Sequence, residues 1–209
     1  MVHISLQTFL EHIVKDLPND KKTNLCEIMS TEGSDKCSDW HNYTQVYDAL
    51  FERFQNMPIA FFELGIFFGN SVRGWSRYFA DSASIYAADI DPSYLINSGN
   101  IKSFICDQDS PESISNLWKN FPNESYFDII VEDGKHEFES NVCFLQNSLQ
   151  MLKPGGLFIV EDLTHRTREL FLAAINSGIK DTIGVEEIFV LDIPNPKNSL
   201  DNCWLVIQK

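Results

Sequence analysis

Phe61-Phe62-Glu63-Leu64-Gly65-Ile66-Phe67-Phe68-Gly69-Asn70-Ser71 is the stretch that decides how the chain is read. An apolar run meets a glycine-bearing loop, and Val72, Trp75 and Phe79 then recur at helical spacing. The pattern predicts a buried strand over 59–64, a loop, and a helix beginning near Gly69-Asn70-Ser71. A strand–loop–helix unit of this kind cradles a nucleotide-like ligand, because the loop backbone and the helix N-terminus face it. The unit is not specific by itself, so the rest of the chain has to give it a meaning.

Downstream, strands are predicted over 85–91, 101–106, 126–131 and 157–160, with helical stripes between them. One stripe is Ile114, Leu117, Trp118 and Phe121; another is Phe138, Val142, Leu145, Leu149 and Leu152. Pro154-Gly155-Gly156 reads as a turn before the fifth strand, and a helix is expected over 168–176. Two last strands, 187–191 and 203–207, are too close for a crossover helix and should pair antiparallel. Strands alternating with helices imply an α/β fold. The expectation is a Rossmann-like, doubly wound, mostly parallel seven-stranded sheet closed by a C-terminal antiparallel hairpin.

Upstream, Leu6, Phe9, Leu10, Ile13, Val14 and Leu17 form an amphipathic helix that Pro18 stops, and 19–24 reads as a polar loop. Residues 32–43 are too polar for core and too aromatic for a linker. Tyr47, Leu50, Phe51 and Phe54 make a helix leading to Pro58. The whole chain, 1–209, is read as one domain, with N-terminal helices and a cofactor-covering segment over 1–58 and a Rossmann-like core over 59–209.

Sixteen basic residues face thirty acidic ones, a net charge of -14. That balance argues against a nucleic-acid partner, which requires clustered Lys and Arg. It suits a cation binder or simply a solvated acidic surface. The five cysteines, Cys26, Cys37, Cys106, Cys143 and Cys203, show no metal spacing and read as reduced, mostly buried thiols of a cytoplasmic protein. No apolar run has the length of a membrane span, and the N-terminus lacks a signal-peptide pattern.

In a doubly wound sheet, ligands bind beyond the carboxyl ends of the strands. Here every one of the first five ends is acidic: Glu63, Asp89, Asp107, Asp133, and Glu161 with Asp162. One acid at a strand end usually caps the next helix or faces water; five together point to a site. Asp89 has the distance from the cradle expected of a ribose-binding acid, which serves NAD as well as other nucleoside cofactors. Phe67 and Phe68 crowd a pyrophosphate, which favours S-adenosylmethionine over a dinucleotide and weakens an oxidoreductase reading. Asp107-Gln108 either receives the adenine amino group or caps a helix. Asp133, Glu161 and Asp162 come from neighbouring strand ends and repel one another unless protonated or bridged by a hard cation, for which Mg²⁺ is the natural candidate. His136 follows Asp133 by three residues and has the intrinsic pKa of a general base.

These stretches resemble the metal-dependent sugar O-methyltransferases of the macrocin and mycinamicin type, within the class I S-adenosylmethionine-dependent methyltransferases. The likeness is carried by Gly33-Ser34-Asp35-Lys36 with His41, Tyr43 and Tyr47, by Glu63-Leu64-Gly65 through Ser71, by Asp107-Gln108, and by Asp133-Gly134-Lys135-His136 with Glu161-Asp162-Leu163. The resemblance implies that Ser34 folds over the cofactor, that Glu63 and Gly65 meet its methionine part, that Ser71 also binds the cofactor, and that Asp89 takes the ribose and Asp107 with Gln108 the adenine. It also implies that Asp133, Glu161 and Asp162 bind Mg²⁺ while Asp133 and His136 serve catalysis, His136 as the base that deprotonates a sugar hydroxyl, of a deoxyhexose such as rhamnose in a glycan or glycosylated natural product. Glu132 stands where the family has a second Asp, Lys135 where it has a small residue, and residues 164–168 depart from its aromatic continuation. The macrolide enzymes carry an additional N-terminal region, so the chain reads as a minimal enzyme or as one domain of a larger protein. A catechol-type O-methyltransferase and a non-catalytic S-adenosylmethionine-binding module are the alternatives.

Overall fold

The computed structural model describes residues 4–17, 22–195 and 197–209. Its centre is β1 (Ala60–Leu64), whose five residues are all buried. It pairs in parallel with β2 (Ser84–Asp89) on one side and β4 (Phe127–Glu132) on the other. The seven-stranded sheet is completed by β3 (Ile101–Ile105), β5 (Leu152–Val160), β6 (Glu187–Asp192) and β7 (Cys203–Gln208), in the order β3-β2-β1-β4-β5-β7-β6. Six strands run one way and β7 opposes them: it is antiparallel to β5 and to β6, with Glu187 opposite Gln208 and Asp192 opposite Cys203. The α/β class and the closing hairpin therefore match the expectation. Strand order reverses between β1 and β4, and that switch point opens a crevice beyond their carboxyl ends.

Period-two alternation divides the sheet between two cores. Phe61, Ile85, Ile129, Ile159 and Trp204 face one layer, which contains α1 (Leu6–Lys15), α2 (Asn24–Glu32), α3 (Thr44–Phe51) and α4 (Asn70–Tyr78). Phe62, Ile130, Phe158 and Leu205 face the other, with α5 (Pro111–Trp118), α6 (Phe138–Ser148), α7 (His165–Asn176) and the short α8 (Ile179–Ile183). Side-chain caps from Ser5, Thr23, Ser110 and Thr164 start α1, α2, α5 and α7. Among the described residues, no helix is long and apolar enough to cross a membrane.

Three features differ from the sequence reading. Helix α2 was not expected; it buries Leu25, Cys26 and Met29, and Gly33 ends it at φ 77°. Pro154-Gly155-Gly156 does not precede β5 but lies inside it: Leu152 and Leu157 pair with Phe127 and Ile129, so the strand bulges across the glycines. Residues 33–43, expected to be too polar for burial, pack inward, with Ser34, Lys36, Cys37, His41, Asn42 and Tyr43 all buried. Pro18 and the start of the polar stretch, through residue 21, lie outside the described residues. All five cysteines are free thiols, four of them buried and Cys143 half-buried.

Candidate active site

The crevice is a cavity of about 950 Å³, at the upper end of the range for small-molecule sites. Gly33, Ser34 and Asp35 close one side; the loop from Leu64 to Ser71 forms the cradle; Asp89, Ile90 and Tyr94 follow; Asp107 to Asp109 and Asp133 to His136 complete it, with Asp162 at the far end. Of the residues singled out from sequence, Ser34, Gly65, Ser71, Asp89, Asp107, Gln108, Asp133, His136 and Asp162 line this one cavity. Glu63 and Glu161 do not, since both are fully buried beneath its floor.

The cradle is pinned by Asp89. Its Oδ2 accepts hydrogen bonds from the Ile66 and Phe67 N–H groups at 2.8 and 3.1 Å, and Oδ1 accepts one from Asp91 N–H at 2.9 Å. Phe67 is thereby held at φ 48°, a strained backbone for a bulky residue, while Gly65 sits at φ 94°. The rings of Phe67 and Phe68 meet 4.1 Å apart, pack on Tyr94 and remain largely exposed at the rim. A Cβ on Gly65 would lie 2.0 Å from the Asp133 carbonyl oxygen, so the ends of β1 and β4 approach as closely as they do because residue 65 is glycine. Gln108 is engaged in the same joint: its Oε1 accepts from Lys135 N–H at 2.8 Å and its Nε2 donates to Glu132 at 3.2 Å. Asp107 Oδ1 accepts from the Asp109 N–H at 2.9 Å.

At the other end, ligand atoms of Asp133, His136 and Asp162 lie within 4.8 Å of one another. His136 Nε2 is 3.8 Å from Asp133 Oδ1, and its buried Nδ1 has no hydrogen-bond partner. His136 and Asp162 both take positive φ, 57° and 55°. Strained backbone in two of three neighbouring polar residues is a feature of functional sites. The grouping differs from the expected Asp133, Glu161 and Asp162. Glu161 is turned down, where Lys36 Nζ reaches its Oε2 at 2.5 Å and the Tyr47 hydroxyl donates to Oε1. Glu63 likewise leaves the cofactor side: Ser71 Oγ donates to its Oε2 at 2.9 Å, and Lys36 Nζ lies 3.6 Å from Oε1. Its connection to the cavity runs through Ser71.

Lys36 is the feature that sequence reasoning missed. Its ammonium is buried and also contacts Asp133 Oδ2 at 2.5 Å. Burial opposes that charge, but Asp133, Glu161 and Glu63 outweigh it and hold Lys36 well above the ordinary lysine range. Burial pushes Glu63 up to about 7 despite Lys36, and pushes Glu161 up as well, with Asp133 and Asp162 adding repulsion. Asp162 is raised by burial and by Asp133, against the pull of His41, His136 and Tyr43. Tyr43 donates to Asp162 Oδ1 at 2.6 Å, and His41 Nε2 lies 3.7 Å from Oδ2. The segment 36–47 thus supplies a positive or donating partner to each acid of the cluster. The signal for it was present in sequence: acids converging at strand ends require a counter-charge, and Lys36 stands in a motif with His41, Tyr43 and Tyr47.

The two departures at the site are also placed. Lys135 points outward to Asp109 and Glu137, at 2.8 and 3.1 Å, and takes no part in the acidic cluster. Glu132 is buried and accepts from Gly134 N–H at 3.1 Å, from Gln108, and from Asn141 Nδ2.

A five-stranded parallel run closed by an antiparallel hairpin, with an acid-lined crevice at the switch point, defines a Rossmann-like methyltransferase fold. Residues 62–163 match the sequence family described as a methyltransferase domain. The chain resembles sugar O-methyltransferases in particular. It is 29% identical over 169 residues to the 8-demethyl-8-alpha-L-rhamnosyl tetracenomycin-C 2'-O-methyltransferase of Streptomyces olivaceus, covering 77% of this chain and 43% of that one. It is 28% identical over 149 residues to the demethylmacrocin O-methyltransferase of Streptomyces fradiae, covering 68% and 37%. The chain thus spans less than half the length of these relatives. In three dimensions it is similar to the MycE methyltransferase of the mycinamycin biosynthetic pathway, in complex with Mg and SAH, with a TM-score of 0.73, 20% identity, and coverage of 91% of this chain and 55% of that one.

Proposed function

We propose that the chain transfers a methyl group from S-adenosylmethionine to a sugar hydroxyl, in a glycan or a glycosylated natural product, with the help of Mg²⁺. The observation that carries this reading is the single cavity running from the cradle to Asp133, His136 and Asp162. It has room for a nucleoside cofactor at one end and a proton-accepting, cation-attracting corner at the other. Relatives named as O-methyltransferases of a rhamnosyl tetracenomycin-C, of demethylmacrocin and of mycinamicin VI support a sugar as acceptor, the first by its name. In this reading residues 1–58 supply the helices and the segment that covers the cofactor, and 59–209 the core, as one domain.

The residues fit the cofactor. Ser34, Gly65 and Ser71 would border the methionine end, Asp89, which already accepts three backbone hydrogen bonds, would offer its remaining acceptor position to the ribose, and Asp107 with Gln108 would flank the adenine side. They also fit a hard cation. Mg²⁺ prefers oxygen ligands and retains water, so Asp133 and Asp162 would hold it and His136 would stay free as the base. When bound, the ion lowers the pKa of the acceptor hydroxyl. His136 Nε2 takes the proton, and Asp133 Oδ1 beside it stabilises the imidazolium that results. The hydroxyl oxygen would then attack the methyl carbon in line, the C–S bond breaking to release S-adenosylhomocysteine, a step governed chiefly by positioning. Tyr43 and Lys36 keep the two aspartates in place. The test is methyl transfer from radiolabelled donor to a panel of deoxyhexosides, with and without Mg²⁺. Labelled sugar formed only with Mg²⁺ is expected. Label on aromatic diols instead, or donor binding with no transfer to any acceptor, would refute the assignment.

A further inference from the structure

Lys36 stands in an unusual place for a lysine. Its Nζ is equidistant, at 2.5 Å, from carboxylate oxygens of two adjacent strand ends, Asp133 Oδ2 and Glu161 Oε2. Glu63 Oε1, fully buried and without a hydrogen-bond partner, faces it at 3.6 Å. An ammonium between two carboxylates occupies the position that a bridging metal ion takes between such groups. Asp133 is shared: Oδ2 is gripped by Lys36, while Oδ1 lies 3.8 Å from His136 Nε2, and a carboxylate oxygen of Asp133 lies within 4.8 Å of ligand atoms of both His136 and Asp162. An external cation arriving on that side meets a fixed positive charge across one carboxylate, and the repulsion is strong in a buried setting.

We infer that Lys36 is a built-in cation that competes with an external divalent ion for the acidic cluster: it withholds Glu161 and leaves Asp133 Oδ1 and Asp162, beside His136, as the open side. This rests on the cation-assisted methyl transfer proposed above. The lysine acts through Asp133 and Glu161 and is a positioning residue. It lets Glu63, Asp133 and Glu161 fold together without a metal, and it keeps the external ion weakly held and close to the base. In its absence the ion would sink between Asp133 and Glu161, bound more tightly and displaced from His136.

The consequence is a pairing that damage to the fold does not produce: tighter metal and slower turnover. Mg²⁺ calorimetry on the native protein, Lys36→Met, Glu161→Gln and the double variant reads it directly. Lys36→Met is expected to bind Mg²⁺ at least tenfold more tightly, with reduced kcat and unchanged affinity for the methyl donor. Glu161→Gln alone should stay within about threefold of native, because Lys36 already occupies that carboxylate. Adding Glu161→Gln to Lys36→Met should bring the affinity back toward native. A folded Lys36→Met with unchanged or weaker Mg²⁺ affinity overturns the inference. If Lys36→Met does not fold, Glu161→Gln decides alone, and a tenfold loss overturns it. Native protein that binds no Mg²⁺, with binding gained in Lys36→Met, removes the metal from the proposed reaction while retaining Lys36 as its replacement. Native binding with no gain does the reverse.

Discussion

At the scale of single residues, the site is a problem in charge placement. Glu63 shows it most simply. Burial raises its carboxyl from 4.5 to about 7, so the folded state prefers the neutral form. Its stabilising contribution is full below pH 4.5 and is lost as pH rises through 7. At 1.36 kcal/mol per unit, the loss is about 3 kcal/mol. The melting temperature of native protein should therefore fall by roughly 5–10 °C relative to Glu63→Gln between pH 4.5 and 8. A difference that stays constant over that range would show that Glu63 ionises normally. His136 makes a separate prediction, because a base and a ligand fail differently. His136→Ala should lose on the order of 10²–10⁴-fold in turnover, with donor and Mg²⁺ affinities within about threefold of native. Loss of Mg²⁺ binding along with turnover would make the imidazole a ligand. That acids gather at the strand ends was legible in sequence, because the carboxyl ends of a doubly wound sheet border its crevice; that Glu63 and Glu161 lie beneath the cavity was not. Lys36 was not. It lies 97 and 125 residues from the two acids it joins, and a lysine in a polar stretch is normally solvated.

Elements were legible in proportion to how much apolar surface they bury locally. The strands of the central sheet are short apolar runs, and the last two are separated by too few residues for anything but a hairpin. Helix α2 escaped because three buried side chains in nine residues make a faint stripe. Helix α8 escaped because it has five residues. The Pro-Gly-Gly stretch misled for a physical reason: those residues mark turns and bulges alike, and only the partner strand distinguishes them. Two glycines that look equivalent in sequence should therefore behave differently. Gly155, at φ 75° in the bulge, has open space around the position of a Cβ. Gly155→Ala should cost about 1–2 kcal/mol through backbone strain alone and leave donor binding intact. Gly65→Ala meets the Asp133 carbonyl as well as an unfavourable φ of 94°. It should cost about 3 kcal/mol or more and abolish donor binding, because it forces apart the strand ends that carry the cradle and the acids. Thermal melts and donor calorimetry on both variants check this; equal effects would mean the β1–β4 joint is not special.

Across the whole molecule, the acidic corner rests on a contact between residues 38–43 and the connection from β6 to β7. The connection between β6 and β7 reaches back over residues 38–43. Lys197 Nζ donates to the Ser38 and Asp39 carbonyls at 3.1 and 3.3 Å, and Asn195 Nδ2 donates to the Trp40 carbonyl. Asn202 is the buried centre of this clasp: its Nδ2 donates to the His41 and Ile193 carbonyls at 2.9 and 2.8 Å, and its Oδ1 meets His41 Nδ1 at 3.0 Å. His41 and Tyr43 in turn hold Asp162 from below. The C-terminal hairpin therefore does more than close the sheet; it fixes the segment that sets the carboxylates. Asn202→Ala would leave two buried carbonyls without donors, a loss of about 2–3 kcal/mol and roughly 5–10 °C in melting temperature. The same change should speed amide hydrogen exchange across 33–43, not only in the 193–202 loop, and should weaken Mg²⁺ binding while β1 to β4 keep their protection. Faster exchange confined to 193–202 with native Mg²⁺ affinity would mean that the acidic corner holds its geometry without the clasp.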